Sequence, residues 1–270
     1  GSLMTGPGTN TYLVAAPGAG ADGGWAVIDP GPADPAHVEA VLAAAPGPIR
    51  WILATHTHTD HSPAAVMLKA RTGARTHGRV ADHPQWQDAS FVPDVPLVGG
   101  ERIDLGHPGN SVGPGSTLRV IHTPGHASNH LCYLLEEEKT LFTGDHVMQG
   151  STVVINPPDG DMAAYLASLR ALQDEDLDWL APGHGFLIDA PRAAMQAIVV
   201  HRLAREAKVV DAVAALGPAP VDVLLPRVYA DVPPRLHAMA LRSLTAHLLK
   251  LAHDGRCREG AAGWELIGTA

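Results

Sequence analysis

His56-x-His58-x-Asp60-His61 places three imidazoles and a carboxylate within six residues. These are the donor types that borderline divalent metals accept. His126, Asp145 and His184 stand farther along, in Thr123-Pro124-Gly125-His126, Thr143-Gly144-Asp145 and Pro182-Gly183-His184-Gly185. Each of the four places directly follows an apolar run of strand type. In sheets packed between helices, the loops at strand ends bring distant residues together, so seven scattered donors can converge. Residues two apart leave a strand on the same side, so His56 and His58 can share one metal. The chain then curls toward a helix and turns Asp60 and His61 toward a second. Zinc accepts both His nitrogen and Asp oxygen in near-tetrahedral geometry. A solvated His-rich loop would account for one His-x-His, but not for five His and two Asp at four strand ends. A structural zinc site closes its coordination, often with Cys, and no Cys lies in these motifs. The chemistry expected is hydrolysis by metal-activated water, which needs no Ser or Cys nucleophile.

The elements that must position these donors alternate between strand and helix over the first two thirds of the chain. Tyr12-Leu13-Val14 and Trp25-Ala26-Val27-Ile28 read as strands, joined by the Gly/Ala-rich turn 18–24. Asp29-Pro30-Gly31-Pro32 breaks the pattern. Asp34-Pro35 opens a helix carrying Val38, Val41 and Leu42 on one side. Trp51-Ile52-Leu53-Ala54 is a short buried strand running into the His cluster. Ser62-Pro63 then supplies a cap and a first-turn proline for a helix to about Arg71. Residues 84–116, rich in Pro and Gly, are expected to be mostly loop with short strands. Leu118–Ile121 is a strand, Leu131–Leu135 and Thr140–Phe142 form a hairpin around Glu136–Lys139, Ala163–Leu172 is a helix and Trp179–Ala181 a strand. Past residue 190 the character changes. Pro191–Leu216 carries Met195, Ile198, Val199, Leu203, Val210 and Val213 at helical spacing. Helices near Val221–Tyr229 and Arg235–His253 follow, and Cys257–Glu259 can pair with Trp264–Ile267. Helix, helix, hairpin is the outline of a winged-helix module, so 1–190 and 191–270 are expected to be separate domains.

Composition bounds the function. The chain has 270 residues, 46% hydrophobic and 17% charged, which suits one large domain with a small appendage. No run approaches the roughly 20 apolar residues of a membrane span, so no membrane partner is expected. The start, Gly1–Gly6, has neither a basic head nor an apolar stretch, so no secretion signal is expected, and the first Gly-Ser reads as a cloning remnant. Cys132 and Cys257 are far apart, so two free thiols in a reducing, cytoplasmic compartment are expected. Cys132, inside an apolar run, reads as a small buried hydrophobe. Residues 1–190 hold 9 Lys+Arg against 21 Asp+Glu (−12), and residues 191–270 hold 10 against 7 (+3), which together give the net −9. An acidic body disfavours tight non-specific nucleic-acid binding.

The order His-x-His-x-Asp-His, His, Asp, His resembles the metallo-beta-lactamase superfamily over residues 8–190. The resemblance implies an α/β fold, a four-layered αββα sandwich, here with a small helical winged-helix-like C-terminal domain. It further implies that His56, His58 and His126 bind one metal, that Asp60, His61 and His184 bind another, and that Asp145 bridges the two. Gly6-Pro7-Gly8-Thr9-Asn10-Thr11-Tyr12-Leu13 and the turns at His126 and His184 are similar to lactamase-like hydrolases related to a mitochondrial endoribonuclease, a branch with a winged-helix-like tail. Similar sequences include carrier-protein thioesterases of polyketide pathways. Ser62-Pro63-Ala64 departs from the family's usual Ser-Gly-Gly, a change at the lip of the site. Beta-lactamases lack such a tail, so antibiotic hydrolysis is not expected.

Two zinc ions about 3.5–4 Å apart would share a water and bring its pKa near neutrality; iron or manganese also occupy His/Asp sites. Asp60 is the expected catalytic residue, orienting the resulting hydroxide through its spare oxygen. Asn10, Asn129 and His130 are candidate substrate contacts; for Asn129 and His130 a structural hydrogen-bonding role at the strand edge is the leading reading, and for Asn10 a turn role weighs equally. The leading function is hydrolysis of an ester or thioester on a small-molecule or acyl-carrier substrate. The alternative is an endoribonuclease specific for single-stranded RNA, with Arg227, Arg235, Arg242, Lys250, Arg256 and Arg258 in the tail. A non-enzymatic nucleic-acid-binding protein is a third reading, for which these cations are sparse. The tail is expected to cover the mouth of the site or to form a homodimer contact.

Overall fold

The computed structural model describes Gly6 and residues 8–15, 24–106 and 116–268. Ten strands form two five-stranded sheets. The first has the order β1(Tyr12–Ala15), β2(Trp25–Ile28), β3(Ile49–Leu53), β4(Arg75–Gly78), β5(Val95–Pro96). The second has the order β10(Trp179–Pro182), β9(Thr140–Gly144), β8(Leu131–Leu135), β7(Thr117–His122), β6(Arg102–Asp104).

Alternation along each strand shows why there are four layers. In β8, Leu131, Tyr133 and Leu135 enter the core between the sheets, while Cys132 and Leu134 enter the core under the outer helices. The strand is therefore buried on both faces, which is why its sequence is one unbroken apolar run. The same split separates Leu53 from Ile52 in β3 and Phe142 from Leu141 in β9. Helices α1(Pro35–Ala44) and α2(Ala64–Thr72) cover the first sheet with Val38, Val41, Ala65 and Leu68. Helix α3(Met162–Leu172) covers the second with Met162, Tyr165, Leu166 and Leu169.

Helix α4(Pro191–Leu216) has the bounds that its periodicity predicts, but it serves two cores. Met195, Ile198 and Val199 join α3 over the second sheet, while Val209, Ala212 and Val213 join α5(Val221–Val228), α6(His237–His253) and the hairpin β11(Cys257–Gly260)–β12(Gly263–Leu266). A change of character at residue 190 thus marks the start of a helix whose first turns still belong to the sandwich.

One local reading is corrected and one strand is added. Ser62 does not cap α2: its hydroxyl donates to Asp88 Oδ2 at 2.8 Å, and the helix follows Pro63 without a side-chain cap. Gly31 O accepts the Ala64 N–H instead, at 2.9 Å. Strand β4 lacks an apolar pattern, being Arg75-Thr76-His77-Gly78, and forms because Asp94 accepts both the backbone N–H and the hydroxyl of Thr76 (2.9 and 3.0 Å) between two parallel neighbours. Of the Pro/Gly-rich stretch 84–116, residues 107–115 lie outside the described residues; the rest is loop with β5 and β6. Among the described residues, no helix is long and apolar enough to cross a membrane.

Candidate metal centre

All seven donors meet at one end of the sandwich. His56–His61 follow β3, His126 follows β7, Asp145 follows β9 and His184 follows β10. Three groups of donor atoms each lie within 4.8 Å: His56, His58 and His126; His56, His61 and Asp145; Asp60, His61 and His184. The turn before His126 requires its glycine. Gly125 has φ +145°, and a Cβ there would sit 2.3 Å from Tyr165 Cα. At Gly183 a Cβ would intrude to 2.9 Å from both Asp145 Oδ1 and His61 Cε1, filling the cluster itself.

The ring orientations are set from behind. His61 Nδ1 donates to Asp29 Oδ2 (2.9 Å), His126 Nδ1 to Val154 O (2.8 Å) and His184 Nδ1 to Gly8 O (2.9 Å). Thr55 Oγ1 donates to Asp29 Oδ2 at 2.8 Å and so accepts from His56 Nδ1 at 3.1 Å. Each of these four rings carries its proton on Nδ1 and turns Nε2 inward, the outer-shell arrangement that fixes metal-ligating histidines. His56 Nε2 and His126 Nε2 lie 2.9 and 3.0 Å from His58 Nδ1, and the latter can donate to only one of them. Asp145 Oδ1 stands 3.4 Å from His61 Nε2 and 3.2 Å from His184 Nε2, while Oδ2 stands 3.6 Å from His126 Nε2. Asp60 Oδ2 is 3.5 Å from His61 Nε2 and 3.3 Å from His184 Nε2.

These separations are those of donors around cations. With metal–nitrogen bonds of about 2.0–2.1 Å, tetrahedral angles set neighbouring donors about 3.3–3.4 Å apart. His61 Nε2 and Asp145 Oδ1 are buried with no hydrogen-bond partner, and buried orphans of this kind call for a ligand or ion. The donor set, its spacing and its orphaned atoms therefore fit divalent metal.

Protonation follows the same division. Burial, reinforced by neighbouring imidazoles, holds His56 well below the ordinary imidazole range and His58 at about 3, and burial lowers His126 as well. All three are neutral lone-pair donors at neutral pH. Burial also opposes charge on His61 and His184, but the carboxylates of Asp145, Asp29 and Asp60 outweigh it. His61 is carried well above its usual range and His184 to about 10. In the metal-free chain these two hold protons that a metal must displace. Metal affinity is thus expected to fall as pH drops, up to about tenfold per unit for each proton displaced. Calorimetric titration of the apoprotein in buffers of different ionisation enthalpy should register the released protons, and an affinity flat with pH would contradict this picture.

The three candidate substrate contacts all hydrogen-bond within the protein. Asn129 and His130 are fully buried. Asn129 Nδ2 donates to Thr57 Oγ1 (2.7 Å) and Arg79 O (2.9 Å). His130 Nδ1 donates to Thr123 Oγ1 (2.9 Å), leaving Nε2 to accept the Asp145 N–H at 3.2 Å. Both position ligand-bearing loops. Asn10 spends its amide on Pro182 O and Gly185 O, each at 2.9 Å, and so holds the turn that presents His184.

Several residues of the site were not singled out from sequence. Asp29 also sits just past an apolar strand, β2, so the strand-end rule that picked the other donors would have found it. Arg202 has no such signal. This buried guanidinium of α4 donates to Val153 O and lies 5.5 Å from the Tyr165 ring centroid. The next carbonyl, Val154 O, orients His126, and the Tyr165 hydroxyl donates to His146 O at 2.8 Å, next to Asp145. The tail helix thereby steadies two donor loops. Arg202→Met, which keeps apolar bulk and removes the donor, is expected to weaken metal binding by about 10–100-fold. Metal titration of the apoprotein checks this, and unchanged affinity would show that packing alone holds the 153–155 loop.

A His/Asp centre at the strand ends of an αββα sandwich, with every ring oriented for coordination, defines a class: metal-dependent hydrolases. Residues 4–184 match the metallo-beta-lactamase superfamily, residues 221–264 match the beta-lactamase associated winged helix domain, and the chain belongs to the metallo-beta-lactamase superfamily. It is 31% identical to an atrochrysone carboxyl ACP thioesterase of Aspergillus chevalieri, over 97% of this chain and 82% of the relative. A beta-lactamase domain protein of Burkholderia ambifaria shares the fold with a TM-score of 0.79 at 20% identity, covering 96% of this chain and 87% of that one. The protein TTHA1623, solved in a di-iron-bound form, aligns with a TM-score of 0.56 at 26% identity, over 69% of this chain and 92% of its own.

Proposed function

We propose that the chain hydrolyses thioesters of small or carrier-linked acyl groups at a dinuclear zinc centre. The observation that carries the reading is the way Asp145 divides the donors: Oδ2 faces His126, and Oδ1 faces His61 and His184. On this reading His56, His58 and His126 hold one zinc, Asp60, His61 and His184 hold the other, and Asp145 spans both. Bound zinc supplies Lewis acidity toward the substrate carbonyl and brings water at the centre to a pKa of about 7.

Asp60 is the chain's own proton-handling group. Its side chain is 32% exposed, against 11% for Asp145. Its recorded contacts, with Thr9, His61 and His184, all fall on Oδ2. Oδ1 is left for the attacking water. Opposed by burial, the hydrogen bond from His184 and the His61 charge hold the Asp60 carboxyl at about 2, so it is ionised at neutral pH and can accept a hydrogen bond from the attacking water. The water oxygen bonds to the carbonyl carbon, the C–S bond breaks, and the proton passes through Asp60 to the departing thiolate.

The thioester reading is supported by the named activity of the Aspergillus relative and by the state of the tail cations. Lys250 pairs with Glu206 and Asp254, Arg256 with Glu206, and Arg258 with Glu265, which removes half of the residues that would have faced RNA. Elemental analysis is expected to return about two zinc per chain, with turnover of a thioester panel and single-stranded RNA left intact. RNA cleavage abolished by Asp60→Ala would move the protein to the ribonuclease reading, and the absence of metal at these residues would overturn both.

A further inference from the structure

Trp86, in the loop between β4 and β5, is 59% exposed and has φ +72°. For a bulky side chain that backbone region is strained, and strain of this kind persists only where surrounding contacts fix it. Here they do. Gln87 accepts the Thr57 hydroxyl at 2.6 Å and donates to Asp159 at 3.0 Å. The Asp88 N–H donates to Thr57 O at 2.6 Å, and Ser62 donates to the Asp88 carboxylate. Gln87 also pairs in antiparallel fashion with His58. The exposed indole is thus one residue in sequence from Gln87, the bridge partner of the metal-site His58.

Over that ring stands Arg242 of α6, its guanidinium carbon 5.8 Å from the ring centroid. Arg242 is exposed, and among the described residues the ring is its one recorded partner, in contrast to Lys250, Arg256 and Arg258 on the same module. A guanidinium resting on an aromatic face keeps its planar fork of donors for an oxyanion, and here it stands against a loop of a domain whose own charge is −12 over residues 1–190.

We propose that Trp86 and Arg242 form a second recognition point for the thioester, with Arg242 pairing a phosphate on the thiol arm and Trp86 packing against the amide-linked arm between phosphate and sulfur. The inference rests on the thioester reading above. A nucleic-acid strand would ask for a track of cations and several stacking rings, whereas one fork beside one ring suits a single phosphate.

The test compares one acyl group on two thiols, pantetheine and 4′-phosphopantetheine, using the zinc-loaded full chain. The wild type is expected to favour the phosphorylated thioester by about tenfold or more in kcat/KM, the scale of a charge-assisted bidentate contact. Arg242→Ala is expected to collapse that ratio toward one, and Arg242→Lys to restore part of it. Trp86→Ala is expected to raise KM for both substrates. Because both residues are exposed, metal content and circular dichroism should stay unchanged. A wild type that cleaves both thioesters with no preference, or a ratio untouched in Arg242→Ala, overturns this inference and leaves the thioester reading standing. Cleavage of neither sinks the thioester reading and this inference with it. RNA cleavage that fails in Arg242→Ala would reassign the pair to nucleic acid and overturn the proposal.

Discussion

Asp145→Ala is expected to lose metal and activity together, with kcat/KM falling on the order of 10³-fold or more. The carboxylate lies between two sets of imidazoles, with an oxygen at 3.6 Å from His126 on one side and 3.2 Å from His184 on the other. Alanine leaves that space without its anion, so neither half keeps its full donor set. The loop itself should persist, because the backbone N–H of residue 145 still reaches His130 Nε2, a contact of 3.2 Å in the wild type. Elemental analysis of the purified variant beside a steady-state assay decides the matter. Full metal content in folded Asp145→Ala would remove this residue from the centre.

Asp60→Asn is expected to separate what Asp145→Ala merges. Asparagine preserves shape and an oxygen donor, so most of the metal should remain. The amide cannot take a proton, and the rate is expected to drop by about 10²–10⁴-fold, the usual contribution of a placed general base. The loss should fall on kcat rather than KM, because the group acts on the attacking water and not on substrate affinity. A variant with wild-type kcat and full metal would transfer proton handling to another group. With the wild-type carboxyl at about 2, no rate loss from Asp60 protonation is expected until acidities at which the imidazoles have already given up metal.

The two variants also mark how the site was legible. His56, His58, Asp60, His61, His126, Asp145 and His184 stand in short turns after apolar strands, and that placement suffices to bring them to one end of a layered sheet fold. The groups behind them were harder to read. Val154 O and Gly8 O orient His126 and His184 through backbone carbonyls that any residue type would supply. Asn129 and His130 illustrate the converse. Their residue types and nearness to His126 left substrate contact open beside the leading structural role; both lie fully buried, and only packing sets which way a polar side chain at a strand edge faces.

Domain division shows the same limit. Periodicity marked α4 as one helix, but a single 3.6-residue repeat does not say how many cores a helix serves. Met195 and Ile198 belong to the sandwich and Val209 and Val213 to the tail, so Arg202 between them can reach the Val153 carbonyl. Likewise, nothing in a Pro-rich loop or a helix surface announced that Trp86 and Arg242 meet, since their contact joins residues far apart in the chain.

The donor set, the apolar strand runs and the helix–helix–hairpin tail are all written in residue type and local period, and so could be read before any fold was known. The tertiary structure alone decided which carbonyls and carboxylates orient those donors, which tail cations are paired, and which one rests on the Trp86 ring. Those choices depend on contacts between distant segments, and local propensity carries no record of them.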